Sequence, residues 1–123
     1  MIQKVLVGSD GSKTAALAVD RAVELAQAFG ASLTILTAGT GKGARQVVER
    51  EAGRHAGAGV DIDTRIVGRD PATALVDVAE EGDYDLLVLG NKGMTGARRF
   101  VLGSVPNKVS HHVHRSILIV RTT

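Results

Sequence analysis

The stretch GNKGMTGARRFVLGSV at residues 90–105 holds four glycines, three basic side chains and no acid. Gly90 and Gly93 enclose two residues, and nine more separate Gly93 from Gly103-Ser104. This pattern suits one kind of chemistry. A polyphosphate lying against a strand end needs close backbone approach, which a Cβ blocks, and several N–H groups aimed at it. Gly103-Ser104-Val105 then opens a helix, whose first amides are unpaired and whose dipole favours an anion. Ser104 is placed either to cap that helix or to donate its hydroxyl to a phosphate. Taken alone, the stretch fits an anion cradle and equally an ordinary loop with turn glycines. Lys92, Arg98 and Arg99 fit a phosphate clamp or solvent-facing cations, and Gly96 is left without a role.

The charge distribution favours the cradle. All thirteen acids lie at or before Asp85, alongside nine Lys and Arg. From Leu86 onward there are six Lys and Arg, three of the four histidines and no acid. That asymmetry suits a negatively charged ligand handled by the C-terminal third, the alternative being a solvated basic helix face.

Composition removes several classes. Phe29, Tyr84 and Phe100 are the only aromatic residues, so base stacking on aromatics, the usual device of single-strand binders, is poorly supplied and no nucleic-acid partner is expected. There is no cysteine, hence no disulfide, thiolate catalysis or cysteine-based zinc site. No window reaches the ~18–20 apolar residues of a membrane span. The N-terminus begins directly with a strand pattern rather than a signal peptide. A soluble, cytoplasmic protein with no membrane partner is expected.

The elements that must position these residues follow from periodicity. Residues 2–8 read as a strand and 13–29 as an amphipathic helix, capped by Asp10 or Ser12 and stopped by Gly30. Residues 32–37 form a second strand, and 44–56 a weaker helix with Val48, Ala52 and Ala56 on one face. Residues 60–67 (VDIDTRIV) alternate apolar and polar, as a half-exposed strand does. Asp70-Pro71 starts a third helix, with a capping acid and proline at its first position, ending near Gly82. Residues 85–89 (DLLVL) are apolar throughout after Asp85, the pattern of a strand covered on both faces. Residues 104–114 form a short helix and 116–120 a last strand. Alternating strands and helices predict a parallel sheet with helices on both faces, as one domain over residues 1–123. The third strand belongs at an edge and the fourth in the centre. Ligands of such sheets sit beyond the carboxyl ends of the strands, where the strand order reverses. If the first and fourth strands are adjacent, Asp10 and Gly90 become neighbours there.

Other motifs fail. Gly39-Thr40-Gly41-Lys42-Gly43 evokes a Walker A loop, but Leu36 stands in place of its first glycine and Gly43 in place of the metal-binding Ser or Thr. Gly8-Ser9-Asp10-Gly11 lacks the spacing of a dinucleotide fingerprint. His111, His112 and His114 point in three directions on a helix, so no metal site is expected. No histidine, arginine finger or second acid is placed beside Asp10 to complete a hydrolytic centre, and no catalytic residue is assigned.

The sequence resembles the universal stress protein family. The resemblance rests on VLVGSDGS at 5–12, the Gly90-x2-Gly93-x9-Gly103-Ser104 spacing and SVPNKVSHHVHRSILIV at 104–120, and it covers the whole chain. It implies a three-layer, Rossmann-like α/β fold with a five-stranded parallel sheet ordered 3-2-1-4-5. It also implies a site for ATP or another adenine nucleotide, including AMP or cAMP, with Mg²⁺ as a companion of the phosphates. By position, Gly90, Gly93, Gly103, Ser104 and Val105 would line the ribose and phosphates, with Lys92 between two of the glycines. Asp10 would face the adenine, Gly8 and Ser9 would wall its pocket, and Leu89 would pack near the sugar or base. Two departures stand out. TAGTGKGARQ at 37–46 replaces a connection that is often much longer, and Asn91 sits where small or hydroxyl residues are common.

The last strand, SILIV, is apolar on both sides yet belongs at an edge, where a bare surface invites aggregation. Pairing of two such strands about a two-fold axis would cover it, giving a homodimer through Ser116–Val120. Shielding by the final helix alone is the other solution. The expected function is adenine-nucleotide binding in stress response or signalling. A slow ATPase or autophosphorylating enzyme, and a nucleotide-independent interaction module, are the alternatives.

Overall fold

The computed structural model describes residues 1–91 and 104–122. Strands and helices alternate: β1 (Lys4–Gly8), α1 (Lys13–Phe29), β2 (Ser32–Ala38), α2 (Gly41–Arg54), β3 (Ile62–Val67), α3 (Pro71–Glu81), β4 (Leu86–Gly90), α4 (Ser104–His112) and β5 (Ser116–Val120). The strands form one parallel sheet in the order β3-β2-β1-β4-β5. The apolar β4 is buried along its whole length near the centre, whereas β3 lies at an edge with Asp63, Thr64 and Arg65 exposed. Both placements follow from their sequence patterns.

Alternation along each strand divides the core into two layers. Val5, Val7, Leu33, Ile35, Leu86 and Val88 face α1 and α2, packing on Ala18, Val19, Ala22, Val23, Ala26 and Val48. Leu6, Leu36, Leu87 and Leu89 face α3 and α4, packing on Ala72, Leu75, Val78, Val105 and Val109. Each fully buried Val or Leu contributes about 1.5–3 kcal/mol relative to exposure. The alanine stripe of α1 brings that helix close to the sheet. The buried Tyr84 hydroxyl donates to Thr34 Oγ1 at 2.7 Å, so the one large polar side chain in the second layer is satisfied.

The helix ends show local chemistry at work. Ser12 caps α1 by accepting from Ala15 N, and Gly30 ends it in the left-handed region at φ 65°. Asp70 caps α3 by accepting from Thr73 N, with Pro71 behind it. Several boundaries differ from the sequence pattern, among them the start of β1, at Lys4 rather than residue 2. Helix α2 starts at Gly41 rather than 44 and stops at Arg54, with the His55 N–H bonded to Ala52 O and the Ala56 N–H to Gly53 O. Strand β3 begins only at Ile62, where its pairing with Leu33 begins. Helix α4 ends at His112 because Glu80 Oε1 accepts the His114 N–H at 2.6 Å and draws the chain toward α3.

Three carboxylates at chain junctions are held below their usual range. Asp85 accepts the Gln3 and Lys4 N–H groups at 2.8 and 2.9 Å. Glu80 is lowered by the His114 N–H and then by Arg115, and Asp70 by Thr73 through its hydroxyl and N–H. A carboxyl whose folded pKa lies below its unfolded value near 4 binds fewer protons folded than unfolded, so its stabilisation is present above that value and lost as pH falls through the folded one. Urea midpoints are therefore expected to hold steady above about pH 5 and to fall below about pH 4. Asp85→Asn should lower the midpoint at neutral pH and flatten the acid limb; an unchanged acid limb would refute the role of this carboxylate.

Candidate functional site

The pairing of β1 with β4, running Val5↔Leu86 through Val7↔Val88, sets the ends of these strands side by side. On its other flank β1 pairs with β2 through Gly8↔Leu36. From this point the chain winds to opposite flanks, β1 leading through α1 to β2 and β4 leading on to β5, so the strand order reverses here, the place where sheets of this kind hold a ligand in a crevice. The turn at residues 9–12 lies on one side. Gly90, and the start of α4 at Ser104, belong to the other.

Each predicted residue can be located. Gly8 is buried at the end of β1, and a Cβ there would meet Leu75 Cδ2 at 3.0 Å and Leu89 Cδ2 at 3.2 Å. Its missing side chain therefore serves packing beneath the strand ends, while its backbone lies at their rim. Leu89 is 2% exposed and belongs to the layer facing α3 and α4. Ser9 is wholly buried. Its N–H donates to Leu36 O, its carbonyl accepts from Thr37 Oγ1 and its Oγ accepts from Gly11 N. Asp10 is exposed, with Oδ1 accepting the Ser12 N–H at 2.9 Å. Among the described residues no hydrogen bond to its other oxygen is seen, so this exposed carboxylate keeps an acceptor on a tied turn.

On the other side, Gly90 is buried at the end of β4. Asn91 is turned toward β5: its N–H donates to Val120 O, and its Oδ1 accepts from Thr122 N and Oγ1 at 2.9 and 3.0 Å. This explains how an amide is accommodated at that position: it fastens the chain beyond β5. Ser104 is exposed at the first turn of α4, while Val105 beside it is buried. The first turn of α4 carries no acid, so nothing there opposes an anion at its amides. Lys92, Gly93 and Gly103, with Gly96, Arg98 and Arg99, lie outside the described residues.

Two grooves open elsewhere among the described residues. One, of about 250 Å³, lies between α3 and α4 against Val76, Asp77, Lys108 and His112. The other, of about 430 Å³, lies at the opposite ends of the strands beside Gln3, Gln27 and Asp61. Neither is lined by a strand-end residue named above. Among the described residues no group of three His, Asp or Glu side chains is placed to hold a metal ion. No described helix is long and apolar enough to cross a membrane.

The model of the universal stress protein family matches residues 1–42 and 37–121. This chain belongs to that family. Universal stress protein YxiE of Bacillus subtilis is 32% identical, with 98% of this chain and all of the relative covered. Universal stress protein Rv1636 of Mycobacterium tuberculosis is 36% identical over 97% of this chain and 96% of the relative. Among solved structures, a universal stress protein in complex with cAMP superimposes with a TM-score of 0.87 at 40% identity, covering 99% of this chain and 98% of that one. A family member from Archaeoglobus fulgidus, at 21% identity and TM-score 0.81, shares the fold over 98% of this chain. The alignment with YxiE spans 148 positions against 123 residues here. The two matched stretches meet at 37–42, where only Gly39 and Thr40 separate β2 from α2.

Sequence reasoning missed the residues that hold the turn at 9–12 from outside it. Thr37 Oγ1 donates to Ser9 O, and Arg50 Nη2 donates to Gly11 O at 2.8 Å. Their separations of 28 and 39 residues leave no local signal. Overpacking beneath the site gives a direct check. Gly8→Val should lower stability by about 2 kcal/mol in urea unfolding, because the added carbons would press on the buried side chains of Leu75 and Leu89. A wild-type midpoint in that variant would show that the space is not filled as described.

Proposed function

We propose that this protein binds an adenine nucleotide between the turn after β1 and the segment after β4, with conformation or partner choice linked to the bound state. The observation that carries the reading is the likeness, at 40% identity over nearly the whole of both chains, to a universal stress protein solved in complex with cAMP. The strand-end geometry supports it. Asp10 offers an exposed carboxylate to the adenine, and the backbone of Gly8 and Ser9 walls the base. Gly90, Gly93, Gly103, Ser104 and Val105 meet the sugar and phosphates through N–H groups and the helix start. Lys92 adds a cation between two of those glycines. ATP and AMP belong to the same ligand class, with Mg²⁺ accompanying the longer phosphate chain. The role is that of a cytoplasmic protein in stress response or signalling.

We infer further that two copies pair through β5. Among the described residues strand β5 pairs within the sheet with β4 alone, and Leu118, on the face opposite Ile117 and Ile119, is 37% exposed. An exposed apolar edge is the surface a second copy would cover.

Unfolding the purified protein and identifying any released nucleotide, followed by side-by-side titration of ATP, AMP and cAMP, tests the ligand class. Gly103→Val is expected to abolish binding of whichever nucleotide wild type takes, with an unchanged circular dichroism spectrum, since a side chain would fill the phosphate path. Unchanged affinity by calorimetry would remove Gly103 from the site. Leu118→Lys should convert a dimer into a monomer in sedimentation at micromolar concentration; a monomeric wild type would refute the pairing.

A further inference from the structure

The turn that presents Asp10 is fastened by five hydrogen bonds. Ser9 N is tied to Leu36 O, Ser9 O to the Thr37 hydroxyl, and the Gly11 and Ser12 N–H groups to the side chains of Ser9 and Asp10. The remaining tie comes from α2. Arg50 Nη2 donates to Gly11 O at 2.8 Å. Gly11 stands at φ 85°, and a Cβ there would lie 2.9 Å from both Arg50 Nη2 and Val47 Cγ2. One face of α2 is thus pressed against this glycine, at a distance only glycine permits.

The anchor of Arg50 is unusual. Glu51, the next residue, has a side chain 2% exposed and lies 3.6 Å from Arg50 Nε. Arg54 grips the same carboxylate at 2.7 and 3.1 Å, and also reaches Asp20 of α1 at 3.0 Å. The Glu51 and Asp20 carboxylates hold the Arg54 guanidinium above its usual pKa. A buried carboxylate gripped this way is a fixed point, since leaving it unpaired is strongly unfavourable. The two-residue connection from β2 gives α2 little freedom to sit elsewhere.

We propose that Arg50 is a positioning residue for the nucleotide: braced by Glu51 on α2, it fixes the Gly11 carbonyl and thereby the turn that presents Asp10 to the base. This rests on the reading of Asp10 as the adenine-facing residue. A turn ordered before the ligand arrives spares binding the cost of ordering it. Without Arg50 the turn retains its short-range ties, Ser9–Gly11 and Asp10–Ser12, but loses its link to α2.

The test compares wild type, Arg50→Ala and Arg50→Lys. Amide exchange of Gly11 and Ser12 is followed by NMR without ligand, and cAMP, ATP and GTP are titrated by calorimetry. Arg50→Ala should speed exchange at both amides and weaken the preferred adenine nucleotide about fivefold to tenfold. It should also narrow the preference for ATP over GTP, since the base-facing carboxylate is the group released. Arg50→Lys, which keeps a charged donor, should recover most of the affinity and preference. Unchanged exchange and unchanged affinity in Arg50→Ala, beside a wild type that binds, would overturn the role of Arg50 alone. So would a loss that Arg50→Lys does not relieve. A wild type that binds none of the nucleotides would instead overturn the reading on which the proposal rests.

Discussion

Strand β1 pairs in parallel with β2 on one side and with β4 on the other, and the rest of the molecule is arranged around that double pairing. Parallel neighbours need crossover connections, and those crossovers are right-handed. Moving first to one flank of β1 and then to the other sends α1 and α2 to one face of the sheet, and α3 and α4 to the opposite face. The strand order therefore reverses between β1 and β4, and that reversal is a consequence of topology before any side chain contributes to it.

The packing beneath the strand ends is tight because the strand residues there serve both layers. Val7 points to α1 while Gly8 gives its space to Leu75 and Leu89. Ser9 turns its hydroxyl to the backbone of the following turn. These contacts make a firm floor from small and aliphatic residues, which suits a chain almost without aromatic groups. Asp10 is the first side chain beyond that floor to face solvent.

Helix α2 carries the largest concentration of charge inside the fold. Its buried row of Ala44 and Val48 ends on Glu51, a position that a purely apolar stripe would fill with another aliphatic residue. The two arginines on either side and Asp20 on α1 make that substitution tolerable by pairing the buried charge. The network ties α2 to α1 and, through Gly11, to the strand-end turn.

The order of strands and helices, the central place of LLVLG and the edge place of IDTRIV were legible in the sequence, because apolar periodicity reports directly how many faces of an element are covered. Helix caps were legible in type, but Asp10 and Ser12 competed for one of them. The backbone settled this by giving Ser12 the cap and Asp10 the bond to the Ser12 N–H. The start of α2 was misplaced because glycines at 41 and 43 hide a helix that its short connection and its packing impose. Of the proposed strand-end site, the sequence by itself offered the candidates: Asp10, the spaced glycines and Ser104. Only the tertiary structure decided that Gly8 is space for two leucines, that Asn91 is committed to Thr122, and that Arg50 reaches Gly11. Those contacts join residues far apart in the chain, and nothing in local composition or period encodes which distant groups a fold will bring within hydrogen-bonding reach.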